Sequence, residues 1–257
     1  MIGTFNAWST TSTPLFSEQN GYWSANESEA KLGDEYKYFI HGHKGPYSRI
    51  DPYVRKVTNS VGNGVIYDSK AFDWGDDHFH MAMGNELVIY ETHVGTFHVN
   101  EHGRPGTFTS AMEKLPYLQE LGINAVEVMP VAEFPGDFSW GYNPSHPFAV
   151  ESIYGGPDSF KQFVRTAHEH GIAIIVDVVY NHFGPSDLDL WQFDGWSAVP
   201  QHGAREWTTP RGYVGRWHRG SIMLQRSSGH LHETLQSSNR HSAQRIPALH
   251  RIRDHQD

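Results

Sequence analysis

The chain contains no cysteine. Disulfides, thiolate metal sites and a cysteine nucleophile are therefore excluded. No apolar run approaches the roughly 18–20 residues that span a bilayer, so no membrane partner is expected. The opening Met1-Ile2-Gly3-Thr4-Phe5-Asn6 shows no basic stretch followed by an apolar one. With no secretory signal visible, the expected location is the cytoplasm. Gly-x-Ser-x-Gly, P-loop and dinucleotide fingerprints are all missing, which leaves serine-elbow and nucleotide chemistry without support. His-Glu-x-x-His is missing too, although the chain has 18 histidines. Pairs such as His78/His80 and His168/His170 sit two apart, a spacing that does not place two ligands on one helix face. A net charge of -9 argues against a nucleic-acid partner.

Lysine is missing from the last part of the chain: all seven lie before residue 162. Residues 198–257 hold nine of the thirteen arginines, seven histidines and only four acids, a balance of +5 against -14 for residues 1–197. No sustained period of 2 or 3.6 runs through this tail before about Ser221. It reads as a shifted-frame or unrelated tail, or else as a basic tail for an acidic partner. Leu231 to Leu235 and Ile246 to Ile252 have the spacing of short amphipathic helices.

What is present divides into two further regions. Residues 1–84 carry short aromatic strand candidates, Tyr22 to Ala25 and Glu35 to Ile40, separated by Asn-Gly and Gly-Asp turns. That spacing predicts a β-sandwich. Residues 85–197 change rhythm. Leu87 to Val94, Ala125 to Pro130 and Ile172 to Val179 read as strands, the last apolar on both faces as a buried parallel strand is. Between them, Thr109 to Leu121 and Pro157 to His170 have helical spacing, each followed by a stopping glycine, Gly122 and Gly171. Strand, helix, strand, helix, strand predicts βαβ units with chemistry beyond the strands' C-terminal ends. Aromatic residues make up 13% of the chain, which suits sugar stacking as well as core filling.

The motifs at those strand ends carry a resemblance. Asp177-Val178-Val179-Tyr180-Asn181-His182 resembles the first sequence motif of the alpha-amylase family of glycoside hydrolases. Trp140-Gly141-Tyr142-Asn143-Pro144 is similar to the segment after that family's second barrel strand. Glu86 to Phe97 is similar to the first strand of its glycogen-branching and trehalohydrolase branch. Gly3 to Trp8, Gly21-Tyr22-Trp23 and Arg49 to Tyr53 resemble that branch's N-terminal carbohydrate-binding sandwich. The resemblance covers about residues 1–197. It implies an α/β fold with an all-β N-terminal domain: a β-sandwich followed by an incomplete TIM-type barrel of about three βα units. The implied partner is an α-glucan polysaccharide or malto-oligosaccharide. Tyr142 would stack on a sugar ring with Trp140 nearby, His182 would bond sugar hydroxyls, and Asn181 matches a position that ligates a structural calcium in many amylases. Asp177 would be a carboxylate supporting the site.

The family cleaves with two carboxylates placed on later barrel strands. After Trp196 the chain has no Arg-x-Asp on an apolar strand and no later strand ending in Glu. Hydrolysis would need carboxylates recruited from Glu91, Glu133, Asp137, Asp177, Asp187 or Asp189, the best pair being Asp177 with Asp187 or Asp189. The alternative is glucan binding without cleavage. Three parallel strands leave an open sheet edge, so either the tail packs there or two chains associate as a homo-oligomer.

Overall fold

The structure is a computed structural model and describes residues 1–42, 45–179, 219–227 and 230–236. Its first part is a β domain. Strands β1 (Ile2–Gly3) and β6 (Gly64–Val65) pair with the first residues of β4 (Glu35–Gly42), and β5 (Gly45–Arg49) pairs with the rest. A separate ribbon joins β2 (Phe16–Ser17) to β3 (Trp23–Ser24). Tyr36 and Tyr38 are two apart and so face the same side of β4. Both phenols donate to Asp51 Oδ2, at 2.8 and 3.3 Å, while Asp51 Oδ1 accepts from the Tyr53 amide at 2.8 Å. The Asp-Pro-Tyr turn is thereby fastened to the sheet.

The second part is the α/β unit. It comprises β7 (Ile89–Thr92), α1 (Val94–Phe97), α2 (Phe108–Met112), α3 (Leu115–Glu120), β8 (Ala125–Val128), β9 (Ala132–Glu133), β10 (His146–Val150), α4 (Gly156–Glu169) and β11 (Ala173–Val179). Strands β7, β8 and β11 are parallel neighbours in one register, with Ile89, Ala125 and Ala173 in a row. The expected β domain followed by a partial barrel is what the chain forms.

Helix α4 shows why these elements pack. Phe160, Phe163, Val164 and Ala167 recur at the 3, 1 and 3 residue steps of an apolar helix stripe. That stripe joins Phe108, Leu118 and Ile174 in the main core. After His170 the Gly171 amide bonds the His168 carbonyl and the Ile172 amide bonds that of Ala167. This closing pattern needs a left-handed residue, and Gly171 has φ +71°.

The single helix expected over Thr109 to Leu121 is two helices. Pro116 has no amide hydrogen, and its ring opposes α geometry at the residue before it. The chain therefore closes α2 at Met112 and restarts α3 with Pro116 in its first turn. Thr107 caps α2, its side chain accepting from the Ser110 amide at 3.1 Å.

The tail supplies the sheet's remaining strands. β12 (Arg219–Ser227) pairs antiparallel with β11, from Ile174 opposite Leu224 to Val179 opposite Arg219, and β13 (His230–Gln236) pairs antiparallel with β12. The β11 edge is thus occupied by the tail, one of the two arrangements expected there. Leu231 to Leu235 is strand, not the expected helix. Two leucines four apart satisfy a period of 2 as well as one of 3.6, so so short a run is ambiguous until a partner edge is offered. Ile246 to Ile252 lies outside the described residues. Among the described residues, no helix is long and apolar enough to cross a membrane.

The core assignment is open to a direct check. Phe108 is fully buried, whereas Tyr117, nine residues on, is 56% exposed. Phe108→Ala is expected to lower unfolding free energy by about 3–5 kcal/mol, and Tyr117→Ala by under ~0.5 kcal/mol, both read from urea melts.

Candidate functional site at the strand ends

The parallel strands end in a row formed by Thr92, Val128 and Val176. One residue further come His93, Met129 and Asp177, where barrel and doubly wound sheets alike collect their chemistry. Asp177 is 1% exposed. Its Oδ2 accepts the Tyr142 phenol at 2.7 Å. The acid sits on β11 and the phenol 35 residues earlier, on the loop between β9 and β10, so the bond links two separate strand ends.

His93 ties a third end to the same loop. Its Nε2 lies 2.8 Å from the Ser139 carbonyl oxygen and 2.9 Å from Tyr154 Oη. A carbonyl can only accept, so Nε2 carries the proton, and Nδ1 accepts from Thr96 Oγ1 at 3.0 Å. Ser139 Oγ donates to Asn143 Oδ1 and accepts from the Gly141 amide. The turn Ser139 to Asn143 is thus fixed from within and from His93.

Gly141 is required in that turn. It has φ +85°, and a Cβ there would collide with the Pro130 carbonyl oxygen. Beside this turn Trp140 and Phe138 are each 71% exposed, while Tyr142 is half-buried. An exposed indole next to an anchored phenol gives flat apolar faces with polar groups between them.

The base of the loop is closed by two glutamates, Glu133 on β9 and Glu151 just after β10, each 1% exposed. Glu133 accepts from the Ser152 amide at 2.7 Å and Ser152 Oγ at 3.0 Å. Glu151 accepts from the Phe134 and Ile153 amides, each at 2.9 Å. Each carboxylate therefore bonds the residue that follows the other. Burial, with the neighbouring Glu151 charge adding to it, pushes Glu133 up to about 8. Burial likewise pushes Glu151 up to about 7, against donated backbone bonds that pull the other way.

The structure places the expected residues unevenly. Tyr142 and Asp177 are brought together, and Trp140 lies on the same turn. His182, Asn181, Asp187 and Asp189 lie outside the described residues, so the Asp177 pairings and the calcium expectation at Asn181 lie there too. Among the described residues, no group of three or more His, Asp or Glu is arranged to hold a metal ion. Glu133, considered as a recruited carboxylate, is committed to Ser152, while Glu91 and Asp137 are exposed. Sequence reasoning missed His93, Ser139 and Glu151 as site-building residues. Their partners lie 17 to 61 residues away or in turn geometry, and only the resemblance of the first strand drew attention to the His93 segment.

Comparison with known proteins identifies the fold. Residues 53–220 match the family model for the alpha amylase catalytic domain, and residues 1–54 match that for carbohydrate-binding module 48, the isoamylase N-terminal domain. The chain belongs to the alpha-amylase family. Among relatives of this alpha-amylase-family chain, the malto-oligosyltrehalose trehalohydrolase of Saccharolobus solfataricus is 40% identical over 169 residues, covering 65% of this chain and 28% of the relative. The 1,4-alpha-glucan branching enzyme GlgB of Pseudoalteromonas atlantica is 34% identical over 210 residues, covering 76% and 28%. These place the chain in the branching and trehalohydrolase branch. The pullulanase SAP of group B Streptococcus, solved in complex with maltotetraose, superposes with a TM-score of 0.56 at 25% identity, covering 66% of this chain and 28% of that one. The chain spans less than a third of the length of these relatives.

Two measurements probe the site's construction. The folded state holds protons on Glu133 and Glu151 that an ordinary carboxyl releases near 4.5. It therefore binds more protons than the unfolded chain between about pH 4.5 and 8, and stability must fall as pH rises through that window. Glu133→Gln keeps the Ser152 bonds, since its amide oxygen accepts from the backbone and its NH2 donates to Oγ. Thermal melts from pH 5 to 8 should show a markedly shallower decline for this variant; an unchanged slope would remove the carboxylate account. Gly141→Ala should cost about 1–3 kcal/mol in a urea melt, a value near zero being incompatible with the turn described.

Proposed function

We propose that the chain binds linear α-glucan at the strand ends, with Tyr142 stacking on a sugar ring and Trp140 extending the platform. The supporting observation is the 2.7 Å bond from Tyr142 to buried Asp177. It fixes the ring at low conformational cost before ligand arrives, which is what a stacking surface requires. An exposed aromatic alone would support only a weaker reading. The maltotetraose in the pullulanase complex and the carbohydrate-binding module match give independent support for an α-glucan ligand.

In this reading Asp177 acts on Tyr142, and His182 supplies hydroxyl contacts from the following segment. Bond cleavage is the second reading, favoured by a buried carboxylate at a strand end. It requires a partner such as Asp187 or Asp189 at about 5–5.5 Å for retention, or about 6.5–9.5 Å for inversion. One carboxyl would protonate the leaving oxygen, while the other would attack the sugar or activate water.

Retention on insoluble starch separates the outcomes. The full chain should be retained, and Tyr142→Ala should weaken retention roughly 3–10-fold, the range expected from losing one aromatic face. Reducing-sugar release that disappears in Asp177→Asn would establish the cleavage reading instead. A chain that neither binds nor cleaves starch would defeat both.

A further inference from the structure

The opposite end of the α/β unit carries a second polar and aromatic site. Helix α4 leads back from the strand ends, so its last turn lies near the start of β11. The rise from Ala173 to Asp177 is about 13 Å at roughly 3.3 Å per strand residue. Across that last turn runs the segment 72–79. The Arg165 guanidinium donates to the Asp73 carbonyl at 2.9 Å, and His168 Nδ1 lies 2.7 Å from Asp77 Oδ2. Phe79 stacks on the His168 ring at 4.2 Å, while Trp74 meets Phe72 edge-on at 5.0 Å. Between segment and helix lies a cleft of about 300 Å³, lined among others by Trp74, Asp76, Phe79, Arg165, His168 and Glu169.

His168 is the unusual member. Its side chain is 4% exposed, and its Nε2 has no hydrogen-bond partner among the described residues. A buried ring nitrogen without a partner is costly, and such an atom beside a cleft marks a place where a ligand group can supply the missing bond. The Nδ1–Asp77 bond puts a proton on Nδ1 and leaves Nε2 as the ring atom that a ligand group would meet.

The lining narrows what that ligand can be. Asp76 and Glu169 are exposed carboxylates at the cleft, and they repel phosphate or another anion. A hydroxyl donates to Nε2 and to carboxylates, and accepts from Arg165. A polyhydroxylated neutral ring satisfies all of these at once, and Trp74 offers it an aromatic wall. A second cleft of about 360 Å³, lined by Tyr67, Phe72, Asp73 and Asp158 among others, takes part of its lining from the residues just before Trp74. Two clefts along one segment suit several linked rings better than one.

We infer that the Trp74–His168 cleft is a separate oligosaccharide-binding site for the same α-glucan, remote from the strand ends. It rests on the proposed glucan reading and adds a second point of attachment. Its role would be to hold a distant stretch of a long chain, so that short and long glucans are bound unequally.

The test is affinity electrophoresis of the full chain in gels containing glycogen, together with His168 imidazole resonances under titration with maltoheptaose. Trp74→Ala should reduce retardation at least threefold. Because Trp74 also packs on the core, a second variant, Asp76→Asn with Glu169→Gln, tests the site through exposed groups and should reduce it by a similar factor. In Trp140→Ala, the His168 resonance should still shift with maltoheptaose. Normal retardation in both cleft variants with a silent His168 resonance would overturn this site, while loss of retardation in Trp140→Ala would leave the strand-end reading standing. Wild-type protein that is not retarded at all would overturn both.

Discussion

The stretch from Phe134 to Val150, the β9–β10 loop together with β10, has its two ends tied by a pair of buried carboxylates. Glu133 bonds Ser152, and Glu151 bonds Phe134 and Ile153. Everything the strand-end site offers stands on this closure, because Trp140, Gly141 and Tyr142 all lie inside it. Burying two acids side by side is unfavourable unless each is satisfied by donors. Here each meets two, and the bonds are exchanged between the start of the loop and its end. A break on one side leaves an acid buried without its donors, so neither end can drift alone. Farther out, His93 and Asp177 grip the same loop through Ser139 and Tyr142. The loop is held at its base by carboxylates and at its tip by two parallel strands.

The β domain and the α/β unit meet through polar contacts along α4. Lys161 donates to Tyr67 Oη at 2.8 Å and to the Ser69 carbonyl at 2.6 Å, while Tyr67 donates to Asp158 at 2.7 Å. The Lys56–Asp158 ion pair at 3.4 Å is part exposed and is worth at most about 1 kcal/mol. These bonds orient the segment more than they stabilise it. Their structural effect is to lay residues 67–79 over the helix, and that segment lines both clefts. Ser60 extends the same connection toward the functional loop, its hydroxyl accepting from the Gly136 amide at 3.1 Å.

Much of the order of elements was legible in the chain. The apolar run at Ile172 to Val179 suits a buried strand or a helix segment, and Gly171 before it ends α4 and leaves the run to a strand. Tyr142 and Asp177 were legible through the motifs that contain them. The split between α2 and α3 was legible as well, at Pro116, had the proline been weighed above the leucine spacing. The Glu133–Glu151 exchange was not legible. Eighteen residues separate the two acids, and nothing local along the chain pairs them until β9 and β10 bring their ends together. The same holds for His168, whose pairing with Asp77 joins positions 91 residues apart.

Local patterns along the chain determined where strands and helices form, because periodicity, capping and glycine stops act within a few residues. They also determined the family, since its motifs are contiguous. Tertiary structure alone decided which side chains share a site. Hydrogen bonds such as Tyr142 to Asp177 and the glutamate exchange depend on how distant segments converge. It also decided the state of the tail, for Leu231 to Leu235 satisfies two periodicities and becomes a strand only because β12 offers it an edge to pair with.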